Sequence, residues 1–305
     1  ANAGDVYTTA NTAIASAFSS ISTAITGATD PRAASPTGYA EANASTYAAG
    51  KYWGAHLTGG NLLAVNNPAT VAGGTDPTSG GNVTVNGKSM YGCSRTVWCN
   101  SGAAVAFFDG FNIYAWGSIS ITGDSAPNGL NASTGGNHGI NIWSTTTTVR
   151  SYNASVSLTG YADGYGTSDN FTTTLIGAGV FIYSDHNTIR AKTDVNITGI
   201  DLAGIGVWYN DTSVGGTKGI TADTGNITIK GISNNTVGYS AVYIRGTVTS
   251  SVGNVTISGA GSYHGLVFDS GEGVVSAAGD INLIGYGSNY TGIHYANGIT
   301  NGIRS

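Results

Sequence analysis

Carboxylate and histidine side chains are the residues of this 305-residue chain that could do acid-base or metal chemistry. Glycoside hydrolysis, for example, needs two carboxyl groups that converge on one bond. Asp194 and Asp280 occupy the same place in a repeated phrase, but two further copies of that phrase lie between them. Asp163 and Asp169 share one loop, a pattern typical of turns and also compatible with cation binding. The spacing predicts no catalytic pair of carboxylates.

The histidines give the same result. His138 and His264 each precede a glycine in repeats that are not neighbours, and His294 lies in the last repeat. We expect all three to be exposed to solvent, without a catalytic partner or a metal. The chain is therefore predicted not to be an enzyme and to need no cofactor.

Aromatic side chains offer a different chemistry, because flat rings suit the apolar faces of sugars. Six of them recur in the middle of the chain and are called the aromatic strip: Phe108, Trp143, Phe181, Tyr183, Trp208 and Tyr243. The strip works as a surface only if regular elements place these rings side by side.

A seven-residue phrase that recurs seven times predicts those elements. Its copies are GNVTVNG, GSISITG, ASVSLTG, TDVNITG, GNITIKG, GNVTISG and GDINLIG, and they end at Gly87, Gly123, Gly160, Gly199, Gly231, Gly259 and Gly285. Apolar and polar residues alternate within each copy, which is the period of a β-strand. Self-similarity at a regular interval predicts a solenoid, in which each copy is one strand of a coil.

Two further segments follow each phrase. The second alternates in the same way, with inward pairs such as Val180/Ile182 and Ile205/Val207. A shorter third segment closes most coils, as in Val149–Ser151 and Val274–Ser276. Three walls per repeat predict an all-β fold, a triangular parallel β-helix of about seven coils, with the right-handed crossover usual for parallel strands. Glycines, 48 in all, are expected at the corners, where the chain needs positive φ and there is no room for a side chain.

Alternation also sorts residues into inward and outward positions. On the second wall it predicts one outward column through Phe108, Trp143, Tyr183 and Trp208, with Phe181 and Tyr243 one position earlier on the same wall. Such a strip predicts a binding surface for glycans or a cell surface. The alternative is that loops or the N-terminal segment cover the rings and make them a lateral core.

Residues 1–78 lack the phrase and are assigned to a separate N-terminal segment, whereas residues 79–305 form the β-helix. Ile14, Phe18, Ile21 and Ile25 follow helical spacing. We expect a helix there, with irregular structure after it, that caps or packs against the solenoid.

Cysteine and asparagine residues suggest covalent modification in an oxidising compartment. Cys93 and Cys99 lie in one loop and are predicted to form a local disulfide, the alternative being two free thiols. Asn-X-Ser/Thr sequons occur in the repeats at Asn82, Asn196, Asn226 and Asn254, which are candidate glycosylation sites on the outer walls.

Charge and hydropathy exclude several classes of protein. The net charge is −5 and only 9% of residues are charged, so the surface must be polar through Thr, Ser and Asn. A nucleic-acid-binding protein would show a basic stripe, so nucleic acid is not an expected partner of this acidic chain. No run of 18 apolar residues occurs, so no membrane-spanning helix is expected.

Phrases such as GNVTISG and GDINLIG, in a Gly-, Ser-, Thr- and Asn-rich chain, resemble the β-strand repeats of filamentous-haemagglutinin-like exoproteins and related bacterial surface adhesins. The resemblance covers about residues 80–305. It implies secretion, a location outside the cell and a role in attachment, biofilm or fibres. The pattern stops at Ser305, where another phrase would come, which predicts either a longer solenoid or head-to-tail stacking with a second copy.

Overall fold

The computed structural model describes the chain in separate segments. They are residues 53–66, 76–88, 102–108, 110–125, 137–143, 146–162, 177–183, 187–201, 204–211, 219–233, 238–269, 275–295 and 303–304. The described residues form strands and turns, without a helix. The helix predicted within residues 14–25 lies outside them.

The strands build three parallel sheets, which are the three predicted walls. The first wall holds the phrases: β3 (Val83–Lys88), β6 (Ile119–Ser125), β9 (Val156–Ala162), β12 (Val195–Asp201), β15 (Ile227–Ser233), β18 (Val255–Gly261) and β21 (Ile281–Gly287). The second wall holds β1 (Trp53–Thr58), β4 (Gly102–Phe108), β7 (Asn137–Trp143), β10 (Ala178–Tyr183), β13 (Ile205–Asn210), β16 (Ser240–Arg245), β19 (His264–Phe268) and β22 (Ile293–Tyr295). The third holds β2 (Asn61–Ala64), β5 (Asn112–Ala115), β8 (Thr148–Ser151), β11 (Thr188–Ala191), β14 (Gly219–Ala222), β17 (Val248–Ser250), β20 (Val275–Ala277) and β23 (Ile303–Arg304).

Each strand pairs with the strand three places later in the chain, so the chain winds through the walls in turn. Strands β1 to β21 make seven coils, and β22 and β23 add two walls of an eighth. The predicted parallel β-helix is confirmed. The first described strands, β1 and β2, already belong to the second and third walls although they carry no phrase of their own.

The core is one aliphatic column enclosed by the three walls. Val156, Leu158, Val195 and Ile197 on the first wall are completely buried, as alternation predicts. The third wall contains two strands more than its sequence pattern indicated, β2 and β5, and Ile113 of β5 pairs with Val149. At β20 the inward residue is Val275, because it pairs with Val248.

Of the two reasons predicted for the corner glycines, the closing glycines of the phrase show the lack of room for a side chain and not a positive φ. The glycines with positive φ lie elsewhere, for example at Gly110 and Gly246. At each closing glycine the first wall instead touches the backbone of the second wall. A Cβ on Gly199 would lie 2.6 Å from the carbonyl carbon of Gly206 and 2.8 Å from Val207 Cγ2. The glycine column therefore lets two walls meet at a narrow corner.

Candidate functional site

The aromatic strip lies on the outward face of the second wall, in two columns. The inner column aligns Phe181 on β10 with Trp208 on β13 and Tyr243 on β16. The outer column aligns Trp143 on β7 with Tyr183 on β10. Parallel pairing places successive members of a column one coil apart, about 4.8 Å.

The predicted single column through Trp143, Tyr183 and Trp208 is therefore wrong at Trp208. Tyr183 pairs with Asn210, two residues later than expected. The inward pair of β13 is accordingly Val207/Tyr209 rather than Ile205/Val207. A shift of two residues keeps inward and outward positions unchanged, so alternation alone could not reveal it.

The shift is stabilised by Tyr209, whose ring enters the core and is 1% exposed. Its ring lies against the backbone of Gly246, where a Cβ would come within 2.6 Å of the ring. The Tyr209 hydroxyl lies 3.4 Å from Asp211 Oδ2 and 3.4 Å from the carbonyl oxygen of Thr247. Burial, followed by the nearby Asp211 carboxylate, raises the pKa of the Tyr209 hydroxyl well above its usual value.

Phe181 is the centre of the strip. Its ring stacks on Tyr183 with centroids 5.7 Å apart, and it meets the rings of Trp143 and Trp208 edge to face at 6.5 and 4.9 Å. Trp208 in turn meets Tyr243 edge to face at 5.9 Å. Edge-to-face and offset pairs of this kind are the favoured aromatic arrangements.

Exposure differs among the rings of the strip. Phe181 is buried and forms a lateral cluster with Ala178, Ile205 and Tyr239. Trp143 and Tyr183 are 38% and 39% exposed. Phe108, Trp208 and Tyr243 are half-buried. The accessible surface is therefore smaller than predicted and centres on Trp143 and Tyr183.

His138 belongs to this cluster, and the prediction that it is exposed is wrong. It is 3% exposed, and its ring stacks on Phe181 with centroids 4.6 Å apart. The backbone N–H of Ala178 donates a hydrogen bond to His138 Nδ1 at 3.0 Å. Burial lowers the pKa of His138 to about 3, so the ring is neutral and serves as a structural acceptor. Its place two residues before the inward Ile140 was a signal that it lies within the wall.

Polar side chains continue the strip toward the C-terminal coils. Asn210 pairs with Arg245 across β13 and β16, in the same column as Trp143 and Tyr183. Tyr243 donates its hydroxyl to Asp269 Oδ2. In this part of the described chain Asn210 Oδ1, Arg245 Nε and Trp208 Nε1 are buried and have no hydrogen-bond partner. No sequence motif indicates this polar group, because its members lie on three different repeats.

Asp194 and the sequon asparagines share a structural task at the corner before the first wall. Asp194 Oδ1 accepts the N–H of Asn226 at 2.7 Å, and Asn226 Oδ1 accepts that of Asn254 at 2.9 Å. Asn254 and Asn82 act in the same way toward the coils that follow them. Asn196 is different, since it lies outward and exposed within β12. Glycosylation of these asparagines stays a prediction.

His264 and His294 lie together near the last described coil. Their rings are 5.0 Å apart, and His264 Nδ1 lies 2.7 Å from Thr291 Oγ1. Across the described segments, no three His, Cys, Asp or Glu side chains are grouped as metal ligands. Cys93, Cys99, Asp163 and Asp169 lie outside those segments. A search of the described residues also finds no helix long and apolar enough to cross a membrane.

Comparisons with protein-family models, with curated protein sequences and with solved structures find no match for this chain.

Proposed function

We propose that this chain is a structural protein, a rod segment or subunit of an extracellular bacterial surface fibre, sheath or adhesin, and not an enzyme. In this proposal its main partner is a further copy of itself, stacked end to end or side by side. Mechanical continuity, supplied by the ladder of coils, is then the property on which its function depends.

The observation that carries the proposal is the unbroken register of the first wall. Five consecutive strands, from β9 to β21, pair along seven residues each without a slip. The corner ladder through Asp194, Asn226 and Asn254 adds side-chain hydrogen bonds along the same axis. A solenoid of this kind is stabilised mainly by contacts between neighbouring coils, so it can be lengthened by adding coils.

The last described coil supports stacking. Ile281, Leu283 and Ile293 point into the column but are only half-buried, whereas their counterparts in preceding coils, such as Val255 and Ile257, are completely buried. A further coil laid on this end would remove their apolar surface from water and pair the strand edges that have no partner among the described residues.

Electron microscopy of the purified chain over a range of concentrations tests the proposal. We expect narrow rods that join end to end as concentration rises. A variant with Leu283→Lys should remain as short rods, because a buried charge opposes stacking, while Asn282→Lys, which points outward on the same strand, should still join. Separate particles at every concentration, or equal behaviour of the two variants, would contradict stacking.

Recognition of glycans or a cell surface is the second candidate function, favoured by the exposure of Trp143 and Tyr183 in neighbouring coils. Two aromatic rings at the surface of one wall form an amphipathic contact area. Adhesion of the labelled protein to cells of its own source should fall when Trp143 is changed to Ala. Unchanged adhesion would remove this candidate and leave the structural one intact.

A further inference from the structure

Trp143 and Tyr183 form a notch and not a flat platform. Their ring centroids lie 5.8 Å apart, and the ring planes make an angle of 75°. A flat surface, such as the face of a crystalline polysaccharide, can cover only one of two nearly perpendicular rings. A single sugar ring of a soluble chain can contact one ring with its face and the other with its edge.

The notch is held open by the rings behind it. Tyr183 is parallel to Phe181, with 3° between their planes, and Phe181 is parallel to His138, with 8° between theirs. Trp143 meets Phe181 edge to face. Because Phe181 and His138 are buried, neither exposed ring can fold down onto the wall. Little conformational entropy is therefore lost when a ligand binds.

Beyond the notch, the same outward column presents polar groups. Asn210 and Arg245 follow Tyr183 at one and two coil spacings, each about 4.8 Å. The pyranose rings of an extended glycan follow one another at a similar distance, so a chain along the solenoid axis could place one ring per coil. Trp208 Nε1 and Arg245 Nε are donors and Asn210 Oδ1 is an acceptor. These three atoms lack a protein partner and are themselves buried; Arg245 as a whole is partly exposed, whereas Asn210 is only 9% exposed.

This combination fits hydroxyl groups better than it fits an anion. A sugar hydroxyl donates and accepts, so it can match donors and an acceptor that lie side by side. The Arg245 cation has two carboxylates near it, since Asp211 follows Asn210 in the chain and Asp269 follows Arg245 in the column. The chain as a whole carries a charge of −5. A polyanion would gain little attraction here.

We propose that this face of the second wall binds a neutral, soluble, extended glycan along the solenoid axis. One sugar ring occupies the notch of Trp143 and Tyr183, and hydroxyl groups of the sugars that follow it bind at the partly exposed Arg245, which lies beside the buried Asn210. The inference rests on the second candidate function and names its ligand class. Cellohexaose and mannohexaose are the simplest probes of that class.

Isothermal titration calorimetry at physiological salt, with both neutral hexaoses and with hexagalacturonate, tests it. We expect a neutral hexaose to bind more tightly than the anionic one. Trp143→Ala and Arg245→Met should each weaken binding roughly tenfold, the usual value of one aromatic or hydrogen-bonding contact. Tyr114→Ala removes an outward aromatic ring from the third wall and should leave affinity unchanged. Circular dichroism confirms that each variant is folded.

The possible results distinguish the proposed neutral glycan from the second candidate function, recognition of glycans or a cell surface. Preference for hexagalacturonate, or full affinity in Arg245→Met, overturns the assignment of a neutral ligand to the polar groups, while loss of binding in Trp143→Ala would still support glycan recognition. No binding of any hexaose by the wild-type protein overturns the inference. If adhesion to cells still depends on Trp143, recognition of a surface stands without this ligand class.

Discussion

Replacing Gly199 by alanine tests the closing glycines, which hold the first and second walls together. The added Cβ would lie 2.6 Å from the carbonyl carbon of Gly206 and 2.8 Å from Val207 Cγ2, and closer still to the Gly206 oxygen. Non-bonded carbon atoms prefer separations of about 3.5–4.0 Å. The two walls must therefore move apart by about 1 Å at this corner, although both are fixed by their ladders.

Overpacking a well-filled site costs about 1–3 kcal/mol. Since the obstacle here is backbone, we expect a loss of about 3 kcal/mol in the free energy of unfolding. With a slope of about 3 kcal/mol per molar urea, the unfolding midpoint should fall by about 1 M.

Urea unfolding followed by circular dichroism and by tryptophan fluorescence measures this loss. Gly81→Ala is the matched control, because no atom lies within 4 Å of its added Cβ and its φ is not positive. There the substitution should be neutral or slightly stabilising, by roughly 0.4–1 kcal/mol. Equal midpoints for Gly199→Ala and the wild type, or an equal loss in Gly81→Ala, would refute the close approach of the walls.

Three further predictions concern other parts of the structure. Asn226→Ala should lower the free energy of unfolding by about 1 kcal/mol, because the N–H of Asn254 loses its acceptor. Asn226→Asp should be tolerated, since Asp194 accepts the corresponding hydrogen bond one coil earlier. Equal urea midpoints for the two variants would contradict this ladder of side-chain hydrogen bonds. Burial lowers the pKa of His138 from its usual 6.5 to about 3 in the folded chain, so the unfolded state binds more protons between these values and stability should fall as the pH is lowered from 6.5 toward 3. His138→Gln should show a shallower fall over that window, and parallel profiles would refute the buried neutral ring. Phe181→Ala should cost about 3 kcal/mol through the cavity it leaves, while Trp143→Ala should cost clearly less because its ring is partly exposed; the reverse order in thermal melts would show that Phe181 is not the centre of the cluster.

The fold could be predicted from the sequence because the alternation within each phrase indicates both a β-strand and the face of that strand that is buried. Val195 and Ile197 alternate with Asn196 and Thr198, and the structure buries the first pair and leaves the second outward. Because seven copies of the phrase show the same alternation, they predict stacked strands of a solenoid, which one copy alone could not do. The helix predicted near Ile14 and the disulfide of Cys93 and Cys99 stay predictions.

The register of the second wall could not be obtained in the same way. Ile205, Val207 and Tyr209 all have inward parity, and an aliphatic pair was the natural choice for a core. The structure chooses Val207 and Tyr209, because Gly246 leaves room for a large ring at the next corner. A tertiary contact between residues 37 positions apart thus decided which aromatic rings are neighbours in the strip.

The polar and buried parts of the candidate site were missed for a related reason. His138, Asn210 and Arg245 belong to three repeats and have no common motif. Only the pairing of β7, β10, β13 and β16 brings them to one face. The neutral state of His138 and the unpaired polar atoms of Asn210 and Arg245 depend on burial. An outward position in the alternating pattern does not predict burial where large aromatic rings cover the wall.

Disulfide cross-linking between neighbouring coils tests the central claim, the in-register parallel solenoid, most directly. With Cys93 and Cys99 changed to Ser, Thr198→Cys and Lys230→Cys are register neighbours on the first wall, at the separation of about 5 Å that a disulfide requires. We predict rapid and nearly complete oxidation of this pair, while Thr198→Cys with Thr228→Cys, displaced by two residues along the strand, should remain reduced. Preferential oxidation of the displaced pair, or of neither pair, would contradict the solenoid register.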